Sequence, residues 1–175
     1  FVKERYYSNG LVKSQKTVSL LKGLKETLSC KPFLVLCGFT VLFLLGQSIY
    51  DNYGRYVGTY YVLGGDWSKS AFITGLGTAI YAGFNLLMIP CYVYLSEHIG
   101  KNKCLMISSL CFLFSAVLAW YTFTPSMPYL MLVNGAILGI AYAGLWTMLP
   151  TMQIDVVDYD ELKTGARREG SFASV

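Results

Sequence analysis

Of the 175 residues, 54% are hydrophobic and 14% charged, with a formal net charge of +4 and a mean hydropathy of +0.47. A soluble domain carries about 25% charge and disorder requires low hydrophobicity, so a freely soluble domain and a disordered tail are both excluded. The five cysteines (Cys30, Cys37, Cys91, Cys104 and Cys111) form no CxxC pair and lie mostly inside apolar runs. They read as small buried hydrophobes rather than disulfides or zinc ligands. The composition is that of an integral membrane protein, with the bilayer as its first partner and no feature pointing to nucleic acid.

In chain order, residues 1–32 read as a basic loop. Within it, residues 18–28 place Leu21, Leu24 and Leu28 on one face of an amphipathic helix, with Lys22, Lys25 and Glu26 around it. Residues 33–175 read as the membrane domain. Four apolar stretches reach the roughly 20 residues a spanning helix needs, over about 33–63, 70–95, 103–123 and 128–150, and a further span begins at about 170–175. Their apolar runs are unbroken rather than alternating, which predicts helices and not barrel strands. Pro32 suits a first helical turn. Gly100-Lys101-Asn102 and Thr124-Pro125-Ser126 break the chain between spans. The opening FVKERYY without an initiator Met, and the close on GSFASV where a span starts, suggest a piece of a longer chain.

Charge sets the orientation. Seven of the fourteen basic residues precede Phe33; Lys101 and Lys103 lie between spans two and three, and Lys163, Arg167 and Arg168 follow span four. The opposite loops hold only Lys69. The positive-inside rule therefore puts residues 1–32, 97–103 and 151–169 in the cytoplasm. Tyr60, Tyr61 and Trp67, with Trp120 and Tyr121, fit an interfacial belt at the outer side.

Enzyme signatures are missing: there is one histidine, and no HExxH, GxSxG or Walker loop. Gly75-Leu76-Gly77 begins like GxGxxG but lacks the third glycine and does not follow a strand. Gly75–Ala79–Gly83 and Gly135–Gly139–Ala143 are small residues at four-residue spacing, which lets helices approach closely in lipid.

Span one carries the most unusual residues. Asp51 and Arg55, four apart on one helix face, are able to pair. Gln47, Tyr50, Asn52 and Tyr56 accompany them, and Gly54 and Gly58 can loosen the helix. Ionisable groups at this depth are costly and usually face a polar interior. Two readings stand side by side: a substrate- or ion-facing stripe, or an outer-interface pair that snorkels to headgroups or closes a structural bridge. Trp146, about a turn inside Pro150, either fills the bundle core or offers a stacking face to a sugar ring in a cavity.

Glu97-His98-Ile-Gly100-Lys101-Asn-Lys103 resembles the Asp-Arg-x-Gly-Arg-Arg loop of the major facilitator superfamily, with Glu97 in place of the Asp and His98 in place of the Arg. As one isolated histidine, His98 reads as a structural substitute rather than a metal ligand. Asp155-Val-Val-Asp158-Tyr159-Asp160-Glu161-Leu-Lys163, followed by Arg167-Arg168-Glu169, resembles the hallmark of the glycoside–pentoside–hexuronide:cation symporters, the melibiose permease-like family. The early KER segment and LKETLSCKPFLVL are similar to that family's central loop entering the seventh of twelve helices. The resemblance covers nearly the whole chain.

That resemblance implies an all-α integral membrane protein, the incomplete C-terminal half of a twelve-helix major facilitator bundle in the plasma membrane. It implies a secondary transporter working by alternating access, carrying a sugar or glycoside with Na⁺ or H⁺. The coupling cation would bind carboxylates of the N-terminal half, which this chain does not contain, and no other cofactor or metal is implied. Trp146, nine residues before Asp155, falls where melibiose permease has a tryptophan lining its sugar cavity. Asp155, Asp158 and Arg167 match charges of the cytoplasmic ion-pair network, joined by the Glu97, Lys101 and Lys103 turn. Asp51 and Arg55 match no motif of the family; with Gln47, Tyr50 and Trp146 they are the candidate substrate contacts. A lysophospholipid or other organic-solute carrier of the same superfamily is one alternative, and a non-transporting membrane scaffold is another.

Overall fold

The computed structural model describes residues 30–164. The helix expected over 18–28, the candidate Arg167 and the span start near 170 lie outside the described residues. Four long helices account for nearly all of them: α1 (Lys31–Tyr56), α2 (Trp67–Ile99), α3 (Lys101–Thr122) and α4 (Met131–Thr164). A π-helical stretch, Val57–Val62, prolongs α1, and a 3₁₀ turn, Pro128–Leu130, leads into α4. All four are long and apolar enough to cross a membrane. The shortest, with 22 residues, reaches about 33 Å at 1.5 Å per residue, enough for a hydrocarbon core of about 30 Å.

Local chemistry sets the element ends. Pro32 sits in the first turn of α1, where its missing N–H costs nothing. Asp66 caps α2: its carboxylate accepts the Lys69 backbone N–H at 3.0 Å and its side chain pairs with the Lys69 ammonium at 3.1 Å. That N–H bond first, and the ammonium beside it, hold the Asp66 carboxyl below the usual carboxylate range. Gly100, at φ +88°, lets the chain reverse between α2 and α3 with no connecting loop. The Thr59 and Ser70 hydroxyls, 2.7 Å apart and buried, fasten the π stretch to the start of α2.

Pro150 reads in sequence as the end of the fourth span, yet α4 runs on to Thr164. Proline removes one N–H and frees the carbonyl four residues back. Nearby hydroxyls add bonds on either side of that point without reaching the freed Trp146 carbonyl itself: Thr147 Oγ1 donates to the Ala143 carbonyl at 2.6 Å, and Thr151 Oγ1 to the Met148 carbonyl at 2.8 Å. The extension is then anchored by Val157, buried against Phe33 of α1. Residues 151–164, expected as loop, are therefore helical, and Asp155 and Asp158 stand on a helix.

α4 is the central helix, packed against α2 on one side and α3 on the other. Ala141, Tyr142, Ala143, Leu145 and Met148 are buried along it, while apolar residues such as Leu42, Leu86 and Leu110 point outward, as lipid tails permit. Gly135 and Gly139 make the contact with α2. A Cβ on Gly139 would lie 2.5 Å from the Tyr81 carbonyl oxygen, and one on Gly135 2.9 Å from that of Gly77. Gly144 does the same against α3, where a Cβ would meet that of Ser108 at 2.6 Å. The seam expected on α2 is not the one used: nothing lies within 4 Å of a Cβ at Gly75 or Gly83. α2 turns its Gly77–Tyr81–Asn85 face inward instead, because Tyr81 and Asn85 have partners there. Tyr81 meets Tyr142 edge-on at 5.7 Å, and Asn85 Nδ2 reaches the Gly139 carbonyl at 3.5 Å.

Gly139→Ala is expected to destabilise the bundle by about 1–3 kcal/mol through overpacking against backbone. Gly83→Ala should be neutral or gain up to about 1 kcal/mol of helix propensity. Denaturant unfolding followed by tryptophan fluorescence distinguishes the two.

Candidate functional site

Between α1, α2 and α4 lies a cavity of about 320 Å³. α1 contributes Gln47, Tyr50, Asp51, Gly54 and Arg55, positions one, four, five, eight and nine of a single helical face. From α2 come Thr74, Thr78 and Tyr81, and from α4 Asn134, Leu138 and Tyr142. Four of the five candidate substrate contacts, Gln47, Tyr50, Asp51 and Arg55, are thus brought together. A charged side chain at the centre of a spanning helix costs about 2.5–3.5 kcal/mol. A shared polar cavity is where such residues are best tolerated.

The cavity's polar atoms are under-partnered. Gln47 Oε1, the Tyr50 hydroxyl, Asn134 Oδ1 and the Tyr142 hydroxyl are all buried without a hydrogen bond. Asn134 and Tyr142 are 2% and 3% exposed, which makes their missing bonds the most costly ones. Asn134 spends its amide nitrogen on Thr122 Oγ1 at 2.8 Å, which leaves the oxygen over. The Tyr50 hydroxyl and Ser115 Oγ approach one another without meeting hydrogen-bond geometry. Asp51 approaches the Gln47 side chain and lies in the field of Arg55, but no nitrogen–oxygen contact within 4.0 Å joins Asp51 to Arg55.

Trp146 stands outside this lining. It is half exposed, one turn from Tyr142 toward the lysine-rich end, and touches Phe43 edge-on at 6.1 Å. Phe43 meets Tyr142 and Phe112 in the same way, each at 5.9 Å. One aromatic tier therefore connects the cavity floor to Trp146. A second hollow, about 480 Å³, opens between α1 and α3 beside Tyr53, Tyr61 and Trp120 and shares Tyr50, Gly54 and Phe123 with the first.

At the lysine-rich end, Lys101 Nζ reaches both oxygens of Asp155 at 2.7 Å. Lys101 opens α3 and Asp155 belongs to the extension of α4, so the pair joins two helices separated by 54 positions. The carboxylate also lies favourably near the positive end of the α3 dipole. Glu97, Lys103 and Asp158 are exposed and, among the described residues, close no ion pair. The buried acid of this region is Asp160. His98 Nδ1 lies 2.9 Å from the Tyr94 carbonyl and the ring packs on Tyr94. Among the described residues no three His, Cys, Asp or Glu side chains converge as for a metal.

Asn134, Tyr142 and Tyr81 were not singled out in sequence. Asn134 and Tyr142 are eight apart and therefore on one face of α4, so the helical spacing of polar residues inside an apolar span carries the signal.

Four helices long enough to span a membrane, three of them enclosing a polar cavity, are the anatomy of a membrane transporter for a small solute. The family model described as "MFS/sugar transport protein" matches residues 1–175, and the chain belongs to that family, in the major facilitator superfamily. The family is one of transporters, not enzymes. No curated protein and no solved structure matches the chain.

Lys101 and Asp155 are each partly exposed, at 39% and 53%, which limits the pair to about 0–1 kcal/mol. A double-mutant cycle with Lys101→Gln and Asp155→Asn, followed by denaturant unfolding, should return a coupling within that range that shrinks with added salt.

Proposed function

We propose that this chain is part of a secondary transporter of the glycoside–pentoside–hexuronide:cation type, moving a sugar or glycoside by alternating access. The observation that carries the reading is the cavity of α1, α2 and α4, with its four buried, unpartnered polar atoms. A polyhydroxylated solute supplies donors and acceptors to just such atoms. Each bond contributes about 0.5–1.5 kcal/mol, enough in sum to select the solute yet weak enough to release it. Trp146 continues this face and would stack on a ring as the solute leaves toward the lysine-rich end.

In this reading residues 1–32, 97–103 and 151–169 are cytoplasmic, by the positive-inside rule, and the membrane is the plasma membrane. The Lys101–Asp155 pair, with Asp158, Arg167, Glu97 and Lys103, belongs to a charge network on the cytoplasmic side. Pairs that form in one state and break in the other give a state-dependent free energy, and so bias which side is open. Na⁺ or H⁺ would couple through carboxylates of the N-terminal half of the whole transporter.

The hollow between α1 and α3 favours a second reading. It is apolar and aromatic and adjoins the polar cavity through Tyr50 and Gly54, so a lysophospholipid could seat its headgroup in one and its acyl chain in the other.

The test is uptake by the full-length transporter in liposomes. Labelled glycosides, pentosides and hexuronides are offered under an inward Na⁺ or H⁺ gradient, with Trp146→Ala alongside. Gradient-driven accumulation of one class, falling at least about tenfold in the variant (about 1.4 kcal/mol), is expected. No uptake of any sugar by folded protein contradicts the proposal and leaves the lipid reading.

A further inference from the structure

Among the described residues, Asp51 and Arg55 are the two formally charged side chains that line the cavity. They carry opposite signs, stand one helical turn apart, and do not close on each other. An α-helix places residues four apart about 6 Å from one another along its axis, within easy reach of a salt bridge. Here the Asp51 carboxylate associates with Gln47, one turn further toward the lysine-rich end, while Arg55 lies one turn the other way. The cavity therefore presents an anionic site and a cationic site side by side, each incompletely neutralised at membrane depth. The neighbouring Asn134 oxygen and Tyr142 hydroxyl are almost wholly buried and unpartnered. The ligand that satisfies all of these carries an ammonium, an acidic group and hydroxyls.

We infer that the solute of this cavity is a zwitterion, its ammonium held by Asp51 and its carboxylate or phosphate by Arg55. The inference rests on the transport reading above and sharpens its substrate class. A neutral sugar would leave both charges unmatched, and a ligand of one sign would leave one of them so, a condition costly once the bound solute has displaced the cavity's water. Arg55 suits the acidic group because its planar guanidinium offers paired donors to two oxygens. Asp51 suits the ammonium because it lies beside Gln47 and Tyr50, whose free oxygens can accept the remaining ammonium protons. The same chemistry has two sources, an amino sugar acid or a zwitterionic lipid headgroup.

The test is equilibrium binding to the full-length protein by calorimetry, with four ligands on one ring: glucose, glucosamine with its amine protonated, glucuronate, and 2-amino-2-deoxyglucuronate. Glycerophosphoethanolamine, whose primary ammonium carries protons, is the headgroup arm. The wild type should bind at least one zwitterion about tenfold or more tighter than glucose, about 1.4 kcal/mol or more. If 2-amino-2-deoxyglucuronate is that ligand the source is a sugar; if only glycerophosphoethanolamine is, the source is a lipid headgroup. Asp51→Asn should abolish the preference for ligands with an ammonium and spare glucuronate, and Arg55→Gln should do the converse. This crossed pattern is one that a merely structural role cannot produce. Equal binding of all ligands, or variants that weaken all of them alike, overturns the inference while leaving sugar transport standing. Binding of glucose with neither zwitterion bound does the same. No binding of any ligand to folded protein overturns the transport reading of the cavity, and this inference with it.

Discussion

The backbone of α4 lies directly on that of α2 at Gly135 and Gly139, where a single added methyl carbon would meet a carbonyl oxygen at 2.9 or 2.5 Å. In lipid, helices gain nothing by hiding apolar surface from one another, so close packing is what holds them. This approach fixes the rotation of both helices. It turns Tyr81 and Asn85 inward from α2, sets the Tyr81 ring against Tyr142, and leaves Asn134 facing the space that α1 then covers. Gly144 repeats the device against α3, which places α4 at the centre. α1 is held differently, through Phe33, Leu36 and Phe43, with large side chains in place of glycines. A helix held off by aromatic rings leaves room beside it, and the cavity is that room.

From this geometry the two ends of the bundle take distinct parts. Toward Trp67, the π stretch after Gly54 widens α1 just where the cavity opens, a distortion often seen near functional sites. Toward the lysines, the helix–Gly100–helix reversal is so tight that Lys101 becomes the first residue of α3, and the continuation of α4 past Pro150 brings Asp155 to it. The pair is exposed and weak. That suits a contact meant to break and re-form rather than one meant to hold the fold.

Much of this was legible in the sequence. Hydropathy and length found all four helices, since apolar runs near 20 residues have one main use. Span one's polar stripe was visible because Gln47, Tyr50, Asp51 and Arg55 repeat at helical spacing. The rest depends on helix rotation and on tertiary packing. Gly75–Ala79–Gly83 and Gly77–Tyr81–Asn85 are rival faces of one helix, and side-chain size alone favours the first. The partners on α4 choose the second. Pro150 reads as an end to the helix because proline removes an N–H, while the packing of Val157 on Phe33 that anchors the extension exists only in the folded bundle. Asn134 and Tyr142 take their place in the cavity only through α1, which lies over them.

The account turns on the cavity of α1, α2 and α4 being a water-accessible solute pocket within the membrane. The direct measurement places single cysteines in a full-length background lacking Cys30, Cys37, Cys91, Cys104 and Cys111, and treats intact membranes with a charged, membrane-impermeant thiol reagent. Cysteine at Thr78 or Gly54, both in the cavity lining, should be modified, and a transported solute should protect it. Cysteine at Leu86, on the outward face of α2, should stay unmodified. A Thr78 or Gly54 cysteine as inert as the one at Leu86 would mean that the hollow is dry, and would contradict the account.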